Sequence, residues 1–320
     1  MIDHVGDAGP VVVTIGETMG LFSAVDIGPR PDRYRLGIGG AESNVAIGLA
    51  RLGTRATWIG RVGADSAGDL VRRELRAEGV EAVAIVDPEA PTGLMVKHRP
   101  RGSASRVEYH RRGSAGSRLR PEDLDPEQIR DADLLHVTGI TPALSPTAAA
   151  AIDHAIDVAV AAGVPVSFDI NHRASLWLGR SPVEMYLSIA RRAHILFAGD
   201  DEAALIVDGS SAQDLALALT ALGPTQVLVK LGADGCVAMI DGELITVPAI
   251  PIVPIDTVGA GDAFAAGYLA ELLAGSTPAQ RLNIAVRAGA FACLGPGDWE
   301  SLPRRGDLAA LDGGADPVIR

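Results

Sequence analysis

Apolar runs alternate with amphipathic segments along most of the chain. The run VVVTIG at 11–16 is rich in β-branched residues and ends in glycine, which predicts a buried strand. The segment AESNVAIGLARLG at 41–53 has apolar residues at helical spacing and a closing glycine, which predicts a helix. The same patterns predict further strands at 56–63, 133–139, 164–170, 194–199 and 226–232, and further helices at 67–80, 146–162, 182–192, 211–222, 262–274 and 279–294.

Strands that alternate with helices indicate an α/β fold, in which a parallel sheet is covered by helices on both faces. Two segments, 17–38 and 91–112, interrupt this alternation with short runs of mixed polar and apolar residues. Neither has a helical pattern, so we expect antiparallel strands that project from the main sheet as a lid. The tail at 307–320 predicts a short helix with a frayed end. We therefore expect one α/β domain that spans residues 1–320.

Composition and strand pattern narrow the class of partner. Of the 320 residues, 48% are hydrophobic, enough to bury a large core, and the formal net charge is −12 at pH 7. So acidic a chain is poorly suited to nucleic acid or to an anionic membrane surface, and we expect neither partner. The exposed strand edges of the lid predict a homodimer through the lid. A polar N-terminus, the lack of any membrane-length apolar run, and only two cysteines predict a soluble cytoplasmic protein.

The stretch DTVGAGD at 256–262 has two opposing interpretations. Gly259 and Gly261 allow unusual backbone angles, and successive backbone N–H groups ahead of a helix form a site for an anion. Asp262 at the start of the helix would then be placed to take a proton from a hydroxyl acceptor. Read alone, the motif is more often a tight turn in which the aspartate caps the helix. Asp256 adds a second carboxylate, which suits either a cation or a turn cap.

Two common nucleotide-binding motifs are absent from the sequence. No G-x-x-x-x-G-K-[ST] phosphate loop occurs, because neither Lys97 nor Lys230 follows a glycine in that frame. No G-x-G-x-x-G follows the first predicted strand, which argues against an oxidoreductase of the Rossmann type. Any nucleotide must therefore be held by a different device.

Two longer stretches carry a family resemblance. DTVGAGDAFAAGY at 256–268 is similar to the C-terminal signature of the ribokinase-like (PfkB) carbohydrate kinases, D-T-x-G-A-G-D-x-F. GGAESNVAIGLARLG at 39–53, followed by IGRVGADSAG at 59–68, is similar to the N-terminal signature of the same family. The resemblance extends over essentially the whole chain. It implies a ribokinase-like three-layer α/β/α fold with a mostly parallel central sheet and a small β lid, and it implies ATP and Mg²⁺ as cofactors.

Within this family, three segments at 107–119, 134–146 and 167–177 look most like 2-keto-3-deoxygluconate kinases. This resemblance implies phosphoryl transfer from ATP to the terminal 6-hydroxyl of 2-keto-3-deoxygluconate or of its galactonate epimer. Such a substrate carries a carboxylate, which suits the bidentate guanidinium groups of Arg111 and Arg173. A kinase for another sugar, such as fructose or ribose, and a non-catalytic sugar-binding pseudokinase are the alternatives.

The resemblance also assigns roles to individual residues. Asp262 is the expected catalytic base, and Glu202 is expected to hold Mg²⁺ through water. The backbone amides expected to face the transferred phosphoryl group are those of Gly259, Ala260 and Gly261. The expected substrate-binding residues are Gly40, Asn44, Tyr109, Arg111 and Arg173. The expected ATP-binding residues are Lys230, Gly232, Gly235, Gly261 and Ala288. The residues for an optional monovalent cation, K⁺ in some relatives, are Asp256, Val258 (through its carbonyl) and Gly297.

Several of these side chains also have a purely structural interpretation. For Arg173 the alternative is an ion pair with Asp169, and for Arg111 it is a solvated surface pair with Arg112. Lys230 has an alternative as a surface lysine at a strand end. Lid packing and helix capping are the alternatives for the remaining two, Tyr109 and Asn44.

Three positions depart from the family pattern. Gly199 replaces the asparagine of the N-x-x-E motif, which implies a different Mg²⁺ network. Val286 falls where many relatives have an asparagine near the adenine. Met95 stands where related ketodeoxygluconate kinases tend to have a tyrosine that contacts the substrate. Met95 therefore bears most on the identity of the acceptor.

Overall fold

The strands of the protein belong to two separate sheets. The structure is a computed structural model, and it describes residues 9–28, 31–101 and 104–312. Within these residues the strands are β1 (Val11–Ile15), β2 (Met19–Ile27), β3 (Tyr34–Gly39), β4 (Arg55–Gly63), β5 (Glu81–Asp87), β6 (Leu94–Arg101), β7 (Ala104–His110), β8 (Leu134–Thr138), β9 (Val166–Asp169), β10 (Ile195–Gly199), β11 (Gln226–Lys230), β12 (Cys236–Ile240) and β13 (Glu243–Val247). The larger sheet has nine strands in the order β13-β12-β11-β10-β9-β8-β1-β4-β5, and the smaller has four in the order β3-β2-β6-β7.

Most of the larger sheet is parallel, as the sequence predicts. Val13 of β1 pairs with Thr57 of β4 on one side and with Leu135 of β8 on the other, both in parallel register. Parallel pairing continues outward to β5 and to β11. Only the β11–β12 and β12–β13 pairs of this sheet are antiparallel. The predicted mostly parallel central sheet is therefore confirmed.

Three strands of the larger sheet have no counterpart in the prediction. β5 and β13 are its two edge strands, and their partial exposure leaves them without a strongly buried apolar run. β12 is fully buried but only five residues long. Asp241 and Gly242, with φ values of 50° and 90°, form the tight turn between β12 and β13. An Asp-Gly pair between apolar runs is a strong hairpin signal, and it would have revealed these two strands.

The smaller sheet differs from the prediction in one pairing. Its four strands occupy the two segments for which the sequence predicts extra strands. The β2–β3 and β6–β7 pairs are antiparallel, but β2 and β6 run parallel to each other. The reason is that β2 follows β1 and β6 follows β5 through short connections, and β1 and β5 already point the same way in the larger sheet.

Helices cover both faces of the larger sheet. They are α1 (Ala41–Arg51), α2 (Ser66–Ala77), α3 (Pro126–Arg130), α4 (Thr141–Leu144), α5 (Pro146–Ala162), α6 (Val183–Ala190), α7 (Asp200–Ala203), α8 (Ala212–Thr220), α9 (Ala260–Leu273) and α10 (Pro278–Ala292). One apolar core contains side chains of α1, α2, α9 and α10, and a second contains side chains of α3, α5, α6 and α8. The three-layer α/β/α arrangement is therefore confirmed.

Two further expectations, the lack of a membrane-spanning helix and a short helix in the C-terminal tail, concern the described helices. None of those within 9–28, 31–101 and 104–312 combines the length and apolar character that a membrane crossing requires. In the C-terminal tail the predicted short helix is a 3₁₀ segment, Arg305–Asp312. The frayed end predicted at 313–320 lies outside the described residues.

Small residues let α9 approach two neighbouring helices closely. A Cβ built at Gly48 of α1 would lie 2.6 Å from the Cβ of Ala266, closer than real Cβ atoms come. A Cβ at Gly267 would lie 3.1 Å from the Cβ of Ala288 on α10. The run of small residues after Asp262 is therefore a packing requirement. It holds α1 against α9, and Asn44 of the first sequence motif contacts Asp262 of the second.

Candidate active site

Side chains from both sheets surround one pocket at the carboxyl edge of the larger sheet. The strands β9, β10 and β11 end there, beside the start of α9, which is where α/β folds commonly bind ligands. The pocket holds about 460 Å³, a volume that suits a small molecule. Its lining includes Met95, Val107 and Tyr109 from the smaller sheet and Asn171, Arg173, Gly199, Asp201, Glu202, Lys230, Val258, Gly259, Gly261, Asp262 and Asp298.

Asp262 lines this pocket and does not cap its helix. The N-cap of α9 is Gly259, and no side chain caps this end of the helix. The Asp262 carboxylate instead accepts hydrogen bonds from Asn44 Nδ2 at 2.7 Å and from Asn171 Nδ2 at 3.4 Å. Asp262 is only 8% exposed, and burial raises the pKa of its carboxyl to about 7, although the Asn44 hydrogen bond acts to lower it. A carboxylate that ionises near neutral pH is well matched to general-base chemistry.

Gly259 gives the turn before α9 its shape. Its φ of 82° lies in the left-handed region that favours glycine, and a Cβ there would overlap the carbonyl oxygen of Asp298. The first N–H groups of a helix have no acceptor within the helix, and the helix dipole adds partial positive charge. Of the three amides expected to face a phosphoryl group, that of Ala260 donates to the Thr257 carbonyl at 3.3 Å. Gly261 lines both this pocket and a second cavity.

Lys230 lies between the two cavities and is paired with Asp169. Both carboxylate oxygens of Asp169 are 2.8 Å from Lys230 Nζ. Burial acts to lower the pKa of Lys230, but Asp169 and Glu202 more than offset this effect and raise the pKa above its ordinary value. Lys230 is therefore a charged ammonium group at the junction of the cavities, paired with Asp169, and no ion pair of Asp169 with Arg173 is present among the described residues. Such a point charge suits a phosphate.

Glu202 uses both of its carboxylate oxygens within the protein. Oε2 accepts from the N–H of Gly199 and Oε1 from the N–H of His172, each at 2.7 Å. Among the described residues, no group of three or more His, Cys, Asp or Glu side chains is arranged to hold a metal ion. Mg²⁺ usually takes one or two protein carboxylates together with substrate phosphates and waters. The oxygen donors of Glu202 and Asp201 at this pocket fit a Mg²⁺ ion that arrives with a nucleotide.

The two expected carboxylate-binding arginines differ in their surroundings. Arg111 donates from Nε to Glu17 Oε2 at 2.7 Å, and Glu17 is only 2% exposed. The Arg111 guanidinium also lies 5.6 Å from the centre of the Tyr109 ring. Arg173 donates to the His172 carbonyl at 3.1 Å, and no carboxylate lies within ion-pair distance of it in the described part of the chain. Arg173 therefore has no direct ion-pair partner in the described residues, although its charge acts on Asp262 across the pocket, whereas Arg111 is paired with Glu17.

The remaining expected substrate residues have different relations to the pocket. Tyr109 lines it and is half-exposed, so it is not confined to lid packing. Asn44 reaches Asp262 rather than capping α1, since the N-cap of α1 is Gly40. A Cβ at Gly40 would overlap the Glu17 carbonyl oxygen. Gly40 is therefore needed for a close backbone approach and does not line the pocket.

A largely apolar cavity of about 420 Å³ adjoins this pocket at Lys230 and Gly261. Gly232 and Gly235 lie at its edge with φ values of 56° and 99°, which only glycine adopts readily. An apolar cavity that adjoins a charged end at Lys230 suits an apolar ring joined to phosphates. Its other lining residues are Ala233, Ala249, Ile250, Pro251, Ile252, Pro254, Thr257, Ala260, Phe264, Val286, Gly289, Ala290 and Cys293.

Ala288 is the one expected ATP-binding residue that lies elsewhere. It is buried and packs against Gly267 of α9. The residues of α10 that do face the cavity are Val286, Gly289 and Ala290. Ala288 itself therefore does not face the cavity, because its position on the helix directs it into the core, whereas Gly289, Ala290 and Cys293 of the same stretch do.

The residues expected around a monovalent cation meet a lysine side chain instead. Lys97 Nζ lies 2.7 Å from a carboxylate oxygen of Asp256 and donates to the Gly297 carbonyl at 2.8 Å. Asp298 is a third partner at 3.4 Å. Val258 contributes its N–H, which donates to Asp256 at 3.3 Å. The Lys97 ammonium group therefore lies between two of the residues expected to hold K⁺, Asp256 and Gly297.

Sequence reasoning misses several polar side chains in or next to the site, among them Asn171, Glu17 and Lys97. Asn171 has a φ of 39°, in the left-handed region that asparagine tolerates better than most residues, and it directly follows a strand. Glu17 likewise follows the first strand. Lys97 is two residues from Met95 on β6, and both are buried on the same face of the lid. Because side chains two residues apart in a strand lie on the same face, the inward-facing Met95 would have predicted that Lys97 also faces inward.

Comparison with known proteins agrees with this geometry. Residues 10–305 match the pfkB family carbohydrate kinases. A 2-dehydro-3-deoxygluconokinase of Bacillus subtilis is 35% identical over 307 residues, covering 93% of this chain and 94% of that protein. A 2-dehydro-3-deoxygalactonokinase of Haloferax volcanii is 32% identical over 316 residues, covering 94% and 98%. The crystal structure of a fructokinase double mutant from Vibrio cholerae, in its fructose, ADP and potassium ion bound form, has a TM-score of 0.85 at 26% identity, covering 96% and 99%. The chain belongs to the pfkB family of carbohydrate kinases.

Proposed function

We propose that the chain transfers the γ-phosphoryl group of ATP to the 6-hydroxyl of 2-keto-3-deoxygluconate (also called 2-dehydro-3-deoxygluconate) or of its galactonate epimer. As a pfkB family member the chain is an ATP-dependent sugar kinase. The observation that carries the choice of a sugar acid is Arg173, a guanidinium that lines the same pocket as Asp262 and has no direct ion-pair partner in the described residues. The names of the Bacillus and Haloferax relatives support this class of acceptor. We assign the reaction to the cytoplasm, where ATP is available.

In this mechanism Asp262 accepts the proton of the attacking hydroxyl. The acceptor oxygen forms a bond to the γ-phosphorus while the bond to the bridging oxygen breaks, and ADP leaves with that electron pair. The proton passes to the Asp262 carboxylate, which Asn44 and Asn171 orient. The amides at the start of α9 and the charge of Lys230 stabilise the phosphoryl oxygens. Mg²⁺, held through Glu202, would supply further charge neutralisation at the phosphates.

The two arginines have separate roles in this proposal. Arg173 has no direct ion-pair partner in the described residues, so it would bind the substrate carboxylate through charge-assisted hydrogen bonds. Arg111 is bound by Glu17 and would instead hold Tyr109 over the pocket. Met95 is nearly fully buried, so it presents an apolar wall where related kinases have a tyrosine.

A coupled assay of ADP release over a panel of acceptors tests the proposal. With ATP and Mg²⁺, we expect kcat/KM for 2-keto-3-deoxygluconate or its epimer to exceed that for fructose and ribose by about 100-fold, since only the sugar acids use Arg173. Phosphorus NMR of the product checks phosphorylation at the 6-position. A preference for fructose or ribose would contradict the proposed sugar-acid acceptor and indicate a neutral sugar instead. No ADP release with any acceptor would favour a sugar-binding pseudokinase.

We also propose that the chain forms a homodimer through the outer face of the smaller sheet. Phe22, Tyr34 and Leu36 on this face are 37%, 42% and 53% exposed, and Phe22 lies directly opposite Leu36 in register. Exposed apolar clusters of this kind commonly mark interfaces. Light scattering is expected to give twice the chain mass of 33.0 kDa, and Leu36→Asp is expected to give the monomer. A wild-type monomer at assay concentration would contradict the proposal.

A further inference from the structure

Lys97 is a buried cation that joins the lid to the turn before α9. Its side chain is 3% exposed and extends from β6 of the smaller sheet. Nζ is 2.7 Å from Asp256 and 3.4 Å from Asp298, and it donates to the Gly297 carbonyl at 2.8 Å. These partners come from two loops, one directly before α9 and the other after α10. A buried ammonium needs such partners, because an isolated buried charge is strongly unfavourable.

Both loops that Lys97 contacts determine the position of Gly259. Asp256 accepts the N–H of Val258 at 3.3 Å and so shapes the chain that enters Gly259. On the other side, the Asp298 carbonyl lies so close to Gly259 that a Cβ there would overlap it. Lys97 is thus the common partner of the two segments that enclose the anion-binding turn.

A monovalent cation in this place would meet the same ligands. Carboxylate and carbonyl oxygens are the donors that Asp256 and Gly297 offer, and both already contact the ammonium group of Lys97. A second positive charge a few ångström away would be repelled strongly in so buried a site. The residues present therefore do not fit a K⁺ ion. In this respect the chain differs from the Vibrio cholerae fructokinase, whose structure contains a bound potassium ion.

We propose that Lys97 is a built-in replacement for a monovalent cation, and that phosphoryl transfer by this chain is independent of K⁺. Lys97 is a positioning residue, since it acts through Asp256 and Asp298 on the turn and is not proposed to touch the acceptor. Because a lid strand carries it, the anion-binding turn is complete only with the lid in place. This inference rests on the proposed phosphoryl transfer but not on the identity of the acceptor.

Steady-state assays with and without added KCl, in a tetramethylammonium buffer, test the proposal. We expect the wild-type kcat to change by less than about twofold on addition of KCl, because no cation site is vacant. Lys97→Ala is expected to lower kcat by about 100-fold without KCl, more than it changes KM for ATP, since it leaves two buried carboxylates unpaired. KCl, ammonium or methylammonium is expected to restore at least about tenfold of this loss by entering the space that the side chain leaves.

Thermal unfolding provides a readout that does not depend on turnover. KCl is expected to raise the Tm of Lys97→Ala but not that of the wild type. Arg106→Ala removes an exposed cation from the same sheet and serves as the matched control, with wild-type behaviour in both experiments. If Lys97→Ala does not fold, Lys97→Met keeps much of the side-chain volume, and the wild-type KCl comparison needs no variant.

Two results would overturn the proposal. One is strong stimulation of the wild type by K⁺. The other is a folded Lys97→Ala protein that no small cation activates or stabilises. Absence of ADP release by the wild type with every acceptor would instead contradict the proposed function, and the thermal experiment would still decide the role of Lys97.

Discussion

Asp262→Asn is expected to lower kcat by about 10³-fold while acceptor binding changes only a few-fold. The amide has nearly the shape of the carboxylate but does not accept a proton, so the chemical step loses its base. The amide oxygen can still accept the shorter hydrogen bond from Asn44 Nδ2 at 2.7 Å, whereas the amide nitrogen gives up the longer one from Asn171 Nδ2 at 3.4 Å, so most of the pocket is retained. ADP release measures turnover, and calorimetric titration measures acceptor binding. Near-normal turnover would show that another group takes the proton.

The pH dependence of the wild type gives an independent check on the same base. Burial raises the pKa of Asp262 to about 7, so below this pH the group is increasingly protonated and unable to accept a proton. We expect kcat/KM to fall in proportion to the ionised fraction below about pH 7 and to level off above it. Asn44→Leu removes a hydrogen bond that lowers this pKa, so it is expected to move the acidic limb to higher pH. An unmoved limb would assign the titration to a different group.

Arg173→Ala is expected to raise KM for the keto acid by about 100-fold and KM for a neutral sugar by less than about twofold. Only the acid has a carboxylate that loses its charged partner. Initial-rate assays with 2-keto-3-deoxygluconate and fructose, run side by side, measure the two effects. Arg112→Ala is the matched control, because Arg112 is an exposed arginine of the lid region that does not line the pocket. An equal rise for both acceptors would reject the carboxylate role of Arg173.

Arg111→Ala distinguishes the role of Arg111 from that of Arg173. It leaves Glu17 buried without its charged partner, so we expect a lower Tm and weaker binding of both acceptors. Arg173 has no such partner in the described residues, and its loss is expected to leave the Tm nearly unchanged. The two arginines, which the sequence treats alike, are therefore distinguished by stability as well as by specificity.

Local patterns predicted much of the fold because they reflect local constraints. β1 is a nearly continuous apolar run and β4 is buried after its first residue, since parallel strands are covered on both faces, and α1 ends where its glycine follows. The edge strands β5 and β13 were missed because partial exposure weakens the same pattern. The parallel pairing of β2 with β6 depends on how distant strands are ordered in the larger sheet, which no local pattern records.

The sequence predicts the motifs of the candidate site but not the ion pairs and hydrogen bonds that its side chains form. The glycines and aspartate of GAGD predict an anion site with a base, and that region does line the pocket. The pairing of Glu17 with Arg111 joins residues 94 apart, and that of Lys97 with the Gly297 carbonyl joins residues 200 apart. The partners in such pairs are brought together only by the folded chain, so no local sequence pattern identifies them. Ala288 was misplaced for a simpler reason, since small residues occur on both sides of α10.

The acidity of the proposed base, Asp262, depends on Gly48, a core position where no side chain fits. A Cβ there would lie 2.6 Å from the Cβ of Ala266, so any larger residue must push α1 away from α9. Asn44 precedes Gly48 by about one helical turn and would retreat from Asp262 with it. Gly48 and Asn44 are therefore coupled in this chain: a buried glycine that does not line the pocket constrains the orientation of the proposed base.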